Sequence, residues 1–188
     1  RYRSAWAAIV QLARDGYSWS GRERNRLLLN CGDGEFGDAS ASSGLDHHGD
    51  GRAMAIVDWD QDGDLDLWFR DRTGPRLRLM LNSHHSVEDD DFVAVKLEGT
   101  SCNRDAIGAV VEVIADGMQG RLVNSVRAGD LFLSQSSRWL HFGLGDAEVV
   151  SEVRVLWPGG AREVFTGTKA GGAFLLKEGA GLARVVER

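Results

Sequence analysis

Hydrophobic and polar positions alternate with two different periods along this chain of 188 residues. Residues 4–15 contain neither glycine nor proline, and Gly16 follows them. Their apolar side chains recur at the three- and four-residue spacing of one helix face; these are Trp6, Ile9, Val10 and Ala13. From Asn25 onward the period is two residues, and turns such as Asp33-Gly34 follow at short intervals. The pattern predicts a mainly β protein that begins with one helix.

The predicted strands form two groups, separated by the polar stretch 83–91. The first group includes residues 27–30 and 54–57, and residues 76–82 resemble residues 25–30, as two copies of one repeat would. The second group has seven apolar segments, at 92–97, 109–114, 122–126, 139–142, 153–157, 161–165 and 173–176. A β-sandwich is the economical fold for seven such strands. We predict an N-terminal helix and linker (1–24), an antiparallel blade (25–86) and a second β domain (87–188).

The most informative stretch is acidic, and every second residue in it is a carboxylate: Asp58, Asp60, Asp62, Asp64 and Asp66. Gly63 permits the chain to curl tightly there. Ca²⁺ takes about 6–8 oxygen ligands, so the stretch predicts a calcium loop. Four of these residues would supply side-chain oxygens, and Asp64 would supply its backbone carbonyl. The ion would hold the fold together and perform no chemistry.

An EF-hand begins in the same way but needs a glutamate in its twelfth place and a helix on each side. Here the twelfth place is Phe69, and the flanks 54–57 and 65–69 have the character of short buried strands. The stretch therefore predicts a calcium loop between two strands of a hairpin. The alternative is an acidic turn that is merely solvated.

Composition narrows the class of protein. With 28 acidic and 22 basic residues the net charge is −6, which disfavours nucleic acid as a partner. The longest apolar runs fall far short of the roughly 20 residues of a membrane span, so we expect a soluble chain. The start at Arg1 suggests a processed chain or a fragment. Cys31 and Cys102 form one disulfide or stay free, and a disulfide would suit an oxidising compartment.

Two resemblances emerge from motifs in order along the chain. Residues 25–36 and 55–67 resemble the FG-GAP/VCBS repeat of integrin-like β-propellers, which implies a blade with a Ca²⁺-binding loop at Asp58, Asp60, Asp62, Asp64 and Asp66. Residues 103–109, 132–137, 140–145 and 155–160 resemble the ASPIC/UnbV domain of the cartilage acidic protein family and its secreted bacterial relatives. A propeller needs several blades, and this chain supplies about one.

Other polar groups have two interpretations each. The pairs His47-His48 and His84-His85 could recruit a transition metal, but neighbouring residues on a strand point to opposite faces. Serines 134, 136 and 137 with His141 and Asp130 superficially offer a hydrolase triad, without the surroundings of a nucleophilic serine. Residues Asn103, Arg104 and Asp105 form either a hydrogen-bonded turn or, with Ser134 and Gln135, an interaction surface.

We therefore expect a non-catalytic, secreted or cell-surface calcium-binding module, extracellular or periplasmic, that mediates protein–protein interaction or self-association. A second hypothesis is a carbohydrate-binding module, because exposed tryptophans such as Trp59 and Trp68, which flank the acidic stretch, suit stacking on sugars. A third is an accessory domain of an enzyme or electron-transfer assembly whose chemistry lies on another chain. Exposed tryptophans on one face would favour the glycan, and an apolar patch would favour a protein.

Overall fold

The computed structural model describes residues 2–17, 23–72, 74–83 and 92–187. It begins with the helix α1 (Tyr2–Arg14), which confirms the predicted helix. No residue of α1 is buried, and Trp6 is 58% exposed. Ile9, Val10 and Ala13 of the predicted apolar face are only half-buried. The helical period is therefore present, but the apolar face of α1 stays largely open.

All other regular elements in the described residues are strands. In chain order they are β1 (Leu28–Gly32), β2 (Glu35–Asp38), β3 (Gly51–Val57), β4 (Asp66–Asp71), β5 (Leu77–Met80), β6 (Phe92–Glu98), β7 (Val110–Ala115), β8 (Leu122–Ser125), β9 (Leu140–Gly143), β10 (Val150–Leu156), β11 (Arg162–Phe165), β12 (Gly172–Lys177) and β13 (Arg184–Val185). Each of the seven segments predicted in the second half coincides with one of β6 to β12. The protein is mainly β, with one short helix and sheets that do not close.

The chain divides into two compact units. The first unit comprises Arg1–Met54 and Leu67–Met80, and the second unit comprises Ala55–Asp66 and Leu81–Arg188. The acidic stretch thus groups with the C-terminal part of the chain, whereas the sequence assigned it to a blade over 25–86. The predicted boundary between residues 86 and 87 lies outside the described residues, and the predicted domain limits stay predictions.

The first unit contains the hairpin β1–β2, closed by Asp33 and Gly34. Both residues have positive φ, 50° and 80°, as the tight two-residue turn of a hairpin requires. Further along the chain, β3, β4 and β5 form a three-stranded sheet in that order. The predicted strand, tight turn and strand before the acidic stretch are therefore present, and so is the hairpin that flanks it.

The second unit contains two four-stranded sheets, with orders β11-β10-β7-β8 and β13-β12-β6-β9. Fully buried side chains from both sheets share one apolar core, for example Val93 of β6, Val111 of β7 and Phe174 of β12. The strands β6 and β12 pair in parallel, with Phe174 opposite Val95. Neither this parallel pair nor the two-residue strand β13 was expected from the sequence. Among the described residues, no helix is long and apolar enough to cross a membrane.

Candidate metal site

The acidic loop, residues 58–66, connects β3 to β4 and lies wholly in the second unit. Within it Gln61 has φ 68° and Gly63 has φ 96°, so the backbone twice enters the left-handed region. This curl brings the carboxylates of Asp58, Asp60 and Asp66 together, with one oxygen from each lying within 4.8 Å of the others. Three of the five predicted ligand residues therefore converge.

Asp66 is the fixed member of the cluster. Its side chain is completely buried. One carboxylate oxygen accepts a hydrogen bond from the backbone N–H of Trp59 at 2.8 Å, and the other accepts one from the N–H of Asn82 at 2.8 Å. Because each carboxylate oxygen has two lone pairs, both can still face a cation. Asp66 thus ties the start of the loop to the chain beyond β5.

Asp58 and Asp60 complete the cluster. Asp58 is half-buried, and its Oδ1 is shielded from solvent. Partial desolvation, together with the neighbouring carboxylates of Asp62 and Asp66, raises the pKa of Asp60 above its ordinary value. Like charges so close together oppose ionisation, and a bound cation would remove that repulsion. An all-carboxylate set suits a hard cation such as Ca²⁺, which prefers oxygen ligands.

Asp62 and Asp64 do not join the cluster of three. The Oδ1 of Asp62 accepts a hydrogen bond from the backbone N–H of Asp64 at 2.9 Å, which closes a local turn within the loop. Asp62 as a side-chain ligand and Asp64 as a carbonyl ligand stay predictions. The cluster is the only group of three His, Cys, Asp or Glu side chains with such spacing in the described ranges.

Gly63 anchors the acidic loop to the sheet that contains β6 and β9. Its backbone carbonyl accepts a hydrogen bond from Nε2 of His141 at 2.6 Å. The imidazole of His141 in turn stacks on Phe92, with ring centroids 5.1 Å apart. A Cβ on residue 63 would lie 2.4 Å from Cε1 of Phe92, so only glycine fits. The loop is therefore held by the body of the second unit.

The sequence did not indicate this anchor. His141 stands 78 positions from Gly63 in the chain, and no local pattern relates them. The sequence indicates for His141 only a place in a superficial triad with Asp130 and the nearby serines. In the structure its Nε2 donates a hydrogen bond to a backbone carbonyl instead.

The other members of that triad also have structural partners. Oδ1 of Asp130 accepts the backbone N–H of Ser136 at 2.9 Å. Oγ of Ser136 accepts the N–H of Ile56 at 3.0 Å, and the N–H of Ser137 donates to the carbonyl of Ile56. Burial has the largest single effect and raises the pKa of Asp130. The hydrogen bonds from Ser136, a backbone hydrogen bond of Asp130 itself and the charge of Arg127 together outweigh it, so the pKa is lowered. These residues fasten the end of β3.

The residues predicted as an interaction surface have different local contacts. The side chain of Asn103 accepts the N–H of Ile107 at 2.8 Å and donates to the carbonyl of the same residue at 3.0 Å. Asp105 lies 3.8 Å from Arg104 and 2.5 Å from Arg138. This is the hydrogen-bonded turn of our alternative interpretation. Ser134 bonds locally to the carbonyl of Phe132, and Gln135 is exposed.

The remaining candidate residues are histidines, cysteines and tryptophans. A ring nitrogen of His47 accepts a hydrogen bond from the side-chain amide of Asn25 at 3.2 Å. The ring packs edge-on against Phe69, so His47 is a packing residue. His84 and His85 lie outside the described residues. Cys31 and Cys102 are both free thiols. Trp59 is 56% exposed, whereas Trp68 is half-buried.

Comparison with known proteins gives two family matches. Residues 99–183 match the model described as ASPIC and UnbV, and residues 13–69 match the FG-GAP-like repeat. Over 87 residues, 45% of this chain, the sequence is 39% identical to cartilage acidic protein 1 of Homo sapiens, 37% identical to that of Mus musculus and 36% identical to that of Xenopus tropicalis. The matched stretch spans only 13%, 14% and 13% of those relatives. Both resemblances predicted from the motifs are confirmed.

Proposed function

We propose that this chain, which carries an FG-GAP-like repeat followed by an ASPIC/UnbV domain, is a non-catalytic, extracellular calcium-binding module that associates with another protein or with itself. The ion would be structural. In this proposal residues 25–86 form a propeller-like blade that carries the acidic loop, and residues 87–188 form a β-sandwich-like domain. The relatives are named for cartilage, a tissue rich in extracellular matrix, which supports the proposed extracellular location.

The convergence of Asp58, Asp60 and Asp66 carries the calcium part of the proposal. These three carboxylates would hold the ion, and water or the carbonyl of Asp64 would complete the oxygen shell. The positive ion would offset the repulsion that raises the pKa of Asp60. Hydrogen bonds connect Asp66 to Asn82 and Gly63 to His141. Binding of an ion to the loop would therefore also stabilise the second unit, to which these residues belong.

Exposed apolar side chains support a protein partner. On the hairpin β1–β2 of the first unit, Leu28 and Phe36 are each more than half exposed. Because Phe36 lies opposite Asn30 and Leu28 opposite Asp38, the two side chains share one face of the hairpin. Large apolar side chains gathered on one hairpin are typical of surfaces that another protein covers. The structural partners of His141, Asp130 and Ser136 support a binding role rather than a catalytic one.

A calorimetric titration with Ca²⁺ tests the ion. We expect one saturable site in the unaltered chain and a loss of most of the affinity in Asp60→Asn, which keeps the shape of the side chain but removes its charge. Asp33→Asn is the matched control, because Asp33 lies in the β1–β2 turn, far along the chain from the cluster. No binding in the unaltered chain, or equal binding in both variants, would contradict the calcium site.

Light scattering on the same samples tests association. We expect the mass to exceed that of one chain, or a partner protein to be retained from extracellular medium, in the presence of millimolar Ca²⁺. Replacing Leu28 and Phe36 by Ser should lower that association, because both side chains are exposed on the same face of the hairpin. An unchanged association would remove the hairpin from the proposal.

A further inference from the structure

A cavity of about 470 Å³ lies in the second unit. One wall is the acidic loop, which contributes Gln61 and Leu65, and a second is the end of β8 with the residues that follow it. The third wall is the segment 135–141, which includes Trp139. The volume falls within the range of about 300–1,000 Å³ that is usual for small-ligand sites. Of the residues that line the cavity, only Asp58 belongs to the metal cluster.

Two primary amides line the cavity. Within the part of the chain that the structure describes, the side chains of Gln61 and Gln135 make no hydrogen bond or ion pair. Each amide offers two donors and one acceptor carbonyl. The indole of Trp139 lines the same space, and the ammonium group of Lys96 lies over its ring, 5.9 Å from the centroid. An aromatic ring beside uncommitted amides suits a ligand with an apolar face and many hydroxyls.

Most of the charged groups around the cavity already have partners. Arg138 is paired with Asp105 at 2.5 Å. Asp130 accepts the N–H of Ser136, and His141 is bonded to the carbonyl of Gly63. Arg127 and Glu187, which also line the cavity, carry opposite signs. Asp58 of the metal cluster lines it as well, and the cation of the proposed function would offset its charge. The walls therefore favour no net charge on the ligand.

We propose that this cavity binds a short neutral oligosaccharide. One sugar ring would stack on Trp139, and its hydroxyls would exchange hydrogen bonds with the amides of Gln61 and Gln135. An extended peptide has fewer hydroxyls to bond to the two amides. This site is independent of the exposed hairpin β1–β2, because every lining residue belongs to the second unit.

The test is a printed array of neutral and acidic oligosaccharides, probed with the full chain in millimolar Ca²⁺ and followed by titration with the best-bound glycan. We expect neutral glycans to be retained. Gln135→Ala and Gln61→Ala should each weaken binding about tenfold, as expected for the loss of a hydrogen bond to a bound ligand. Gln119→Ala is the matched control, because Gln119 is an exposed glutamine outside the cavity and should bind as the unaltered chain does.

Four outcomes would overturn the proposal. They are no retained glycan, retention of acidic glycans alone, equal affinity in all three glutamine variants, and capture of displayed peptides instead of glycans with the same loss in Gln135→Ala. Circular dichroism of each variant confirms that the fold is intact. Because Gln61 and Gln135 are exposed, we expect neither change to unfold the chain.

Discussion

The two units differ most in what their interiors contain. The second unit has an extended apolar core, in which Val111, Val153 and Phe174 are fully buried. Among the described residues of the first unit, Leu45 is the only buried large apolar side chain, whereas Ser40, Asp50 and Asp71 are buried and polar. Apolar burial therefore stabilises the second unit, and directed polar contacts stabilise the first.

The polar interior of the first unit rests on acid–base pairs. Oδ2 of Asp71 lies 3.1 Å from Nε of Arg78, and Asp50 lies 2.5 Å from Arg52. A buried carboxylate is costly without a partner, so these pairs matter mainly because breaking one leaves a charge in the interior. We expect the first unit to be sensitive to changes of charge and the second to changes of volume.

The largest expected effect is in the core of the second unit. Phe174→Ala should lower the free energy of unfolding by about 3–5 kcal/mol, because it empties a fully buried position. Urea unfolding followed by circular dichroism measures it. Leu182→Ala is the control, because Leu182 is 62% exposed and its loss should cost little. Similar losses in the two variants would contradict an apolar basis for this unit.

The next effect concerns the buried acid of the first unit. Arg78→Leu should cost about 3 kcal/mol, because Asp71 stays buried beside an apolar side chain. Arg26→Leu is the matched control. It removes the ion pair between Arg26 and Asp38, whose charged atoms lie 2.6 Å apart and whose side chains are both exposed, and it should cost less than about 1 kcal/mol. Hydrogen exchange of peptides from the first unit reports both. Equal protection in the two variants would remove the distinction between buried and exposed pairs.

Substitution of one glycine with positive φ in each unit compares the cost of adding a Cβ atom in the two units. Gly34→Ala in the first unit meets nothing within 4 Å and should cost about 1 kcal/mol of backbone strain. Gly63→Ala in the second unit adds a clash with Phe92 and should cost about 2 kcal/mol or more. Chemical unfolding of the two variants gives the difference. If Gly34→Ala were the more damaging change, the acidic loop would not be anchored as described.

The smallest expected effect depends on pH. The carboxylate of Glu178 accepts the backbone N–H groups of Thr100, Ser101 and Cys102 at 2.8, 2.7 and 3.1 Å, and these bonds, led by those of Thr100 and Ser101, hold its pKa below 4.5. The folded-state pKa is thus below the unfolded value. The stabilisation is present above the unfolded pKa and is lost as the pH falls through the folded pKa.

Glu178→Gln should therefore lower the urea midpoint at about pH 7, and the difference from the unaltered chain should shrink at about pH 3. Glu187→Gln serves as the control, since Glu187 is an exposed carboxyl outside this cluster of hydrogen bonds. A difference that grows as the pH falls would have the wrong sign for this account.

The sequence predicted the elements better than their arrangement. The helix α1 and the strands β6 to β12 follow from local periods, which the sequence carries directly. The parallel pair of β6 and β12 and the short strand β13 depend on contacts between distant segments, which leave no local pattern. The buried acids Asp50 and Asp71 were missed for a different reason. Their partners Arg52 and Arg78 are near in the chain, but no local pattern shows that these carboxylates are buried.

The candidate site shows the same division. Alternate carboxylates and Gly63 indicated where Asp58, Asp60 and Asp66 would meet. No local pattern indicates Phe92 and His141, which hold the loop in place from other strands. Nor does any local pattern reveal that the acidic loop belongs with the C-terminal unit. Spacing predicts ligands, whereas the anchors of a loop depend on tertiary structure.

Thermal unfolding in a chelator and then in millimolar Ca²⁺ tests the central claim most directly, because the account places the cation within the second unit, among Asp58, Asp60 and Asp66. We predict a rise in the melting temperature with Ca²⁺, corresponding to about 2.7 kcal/mol when the ion is at a hundredfold excess over its Kd. Asp60→Asn should lose that rise. An identical melting temperature with and without Ca²⁺ in the unaltered chain would contradict the account.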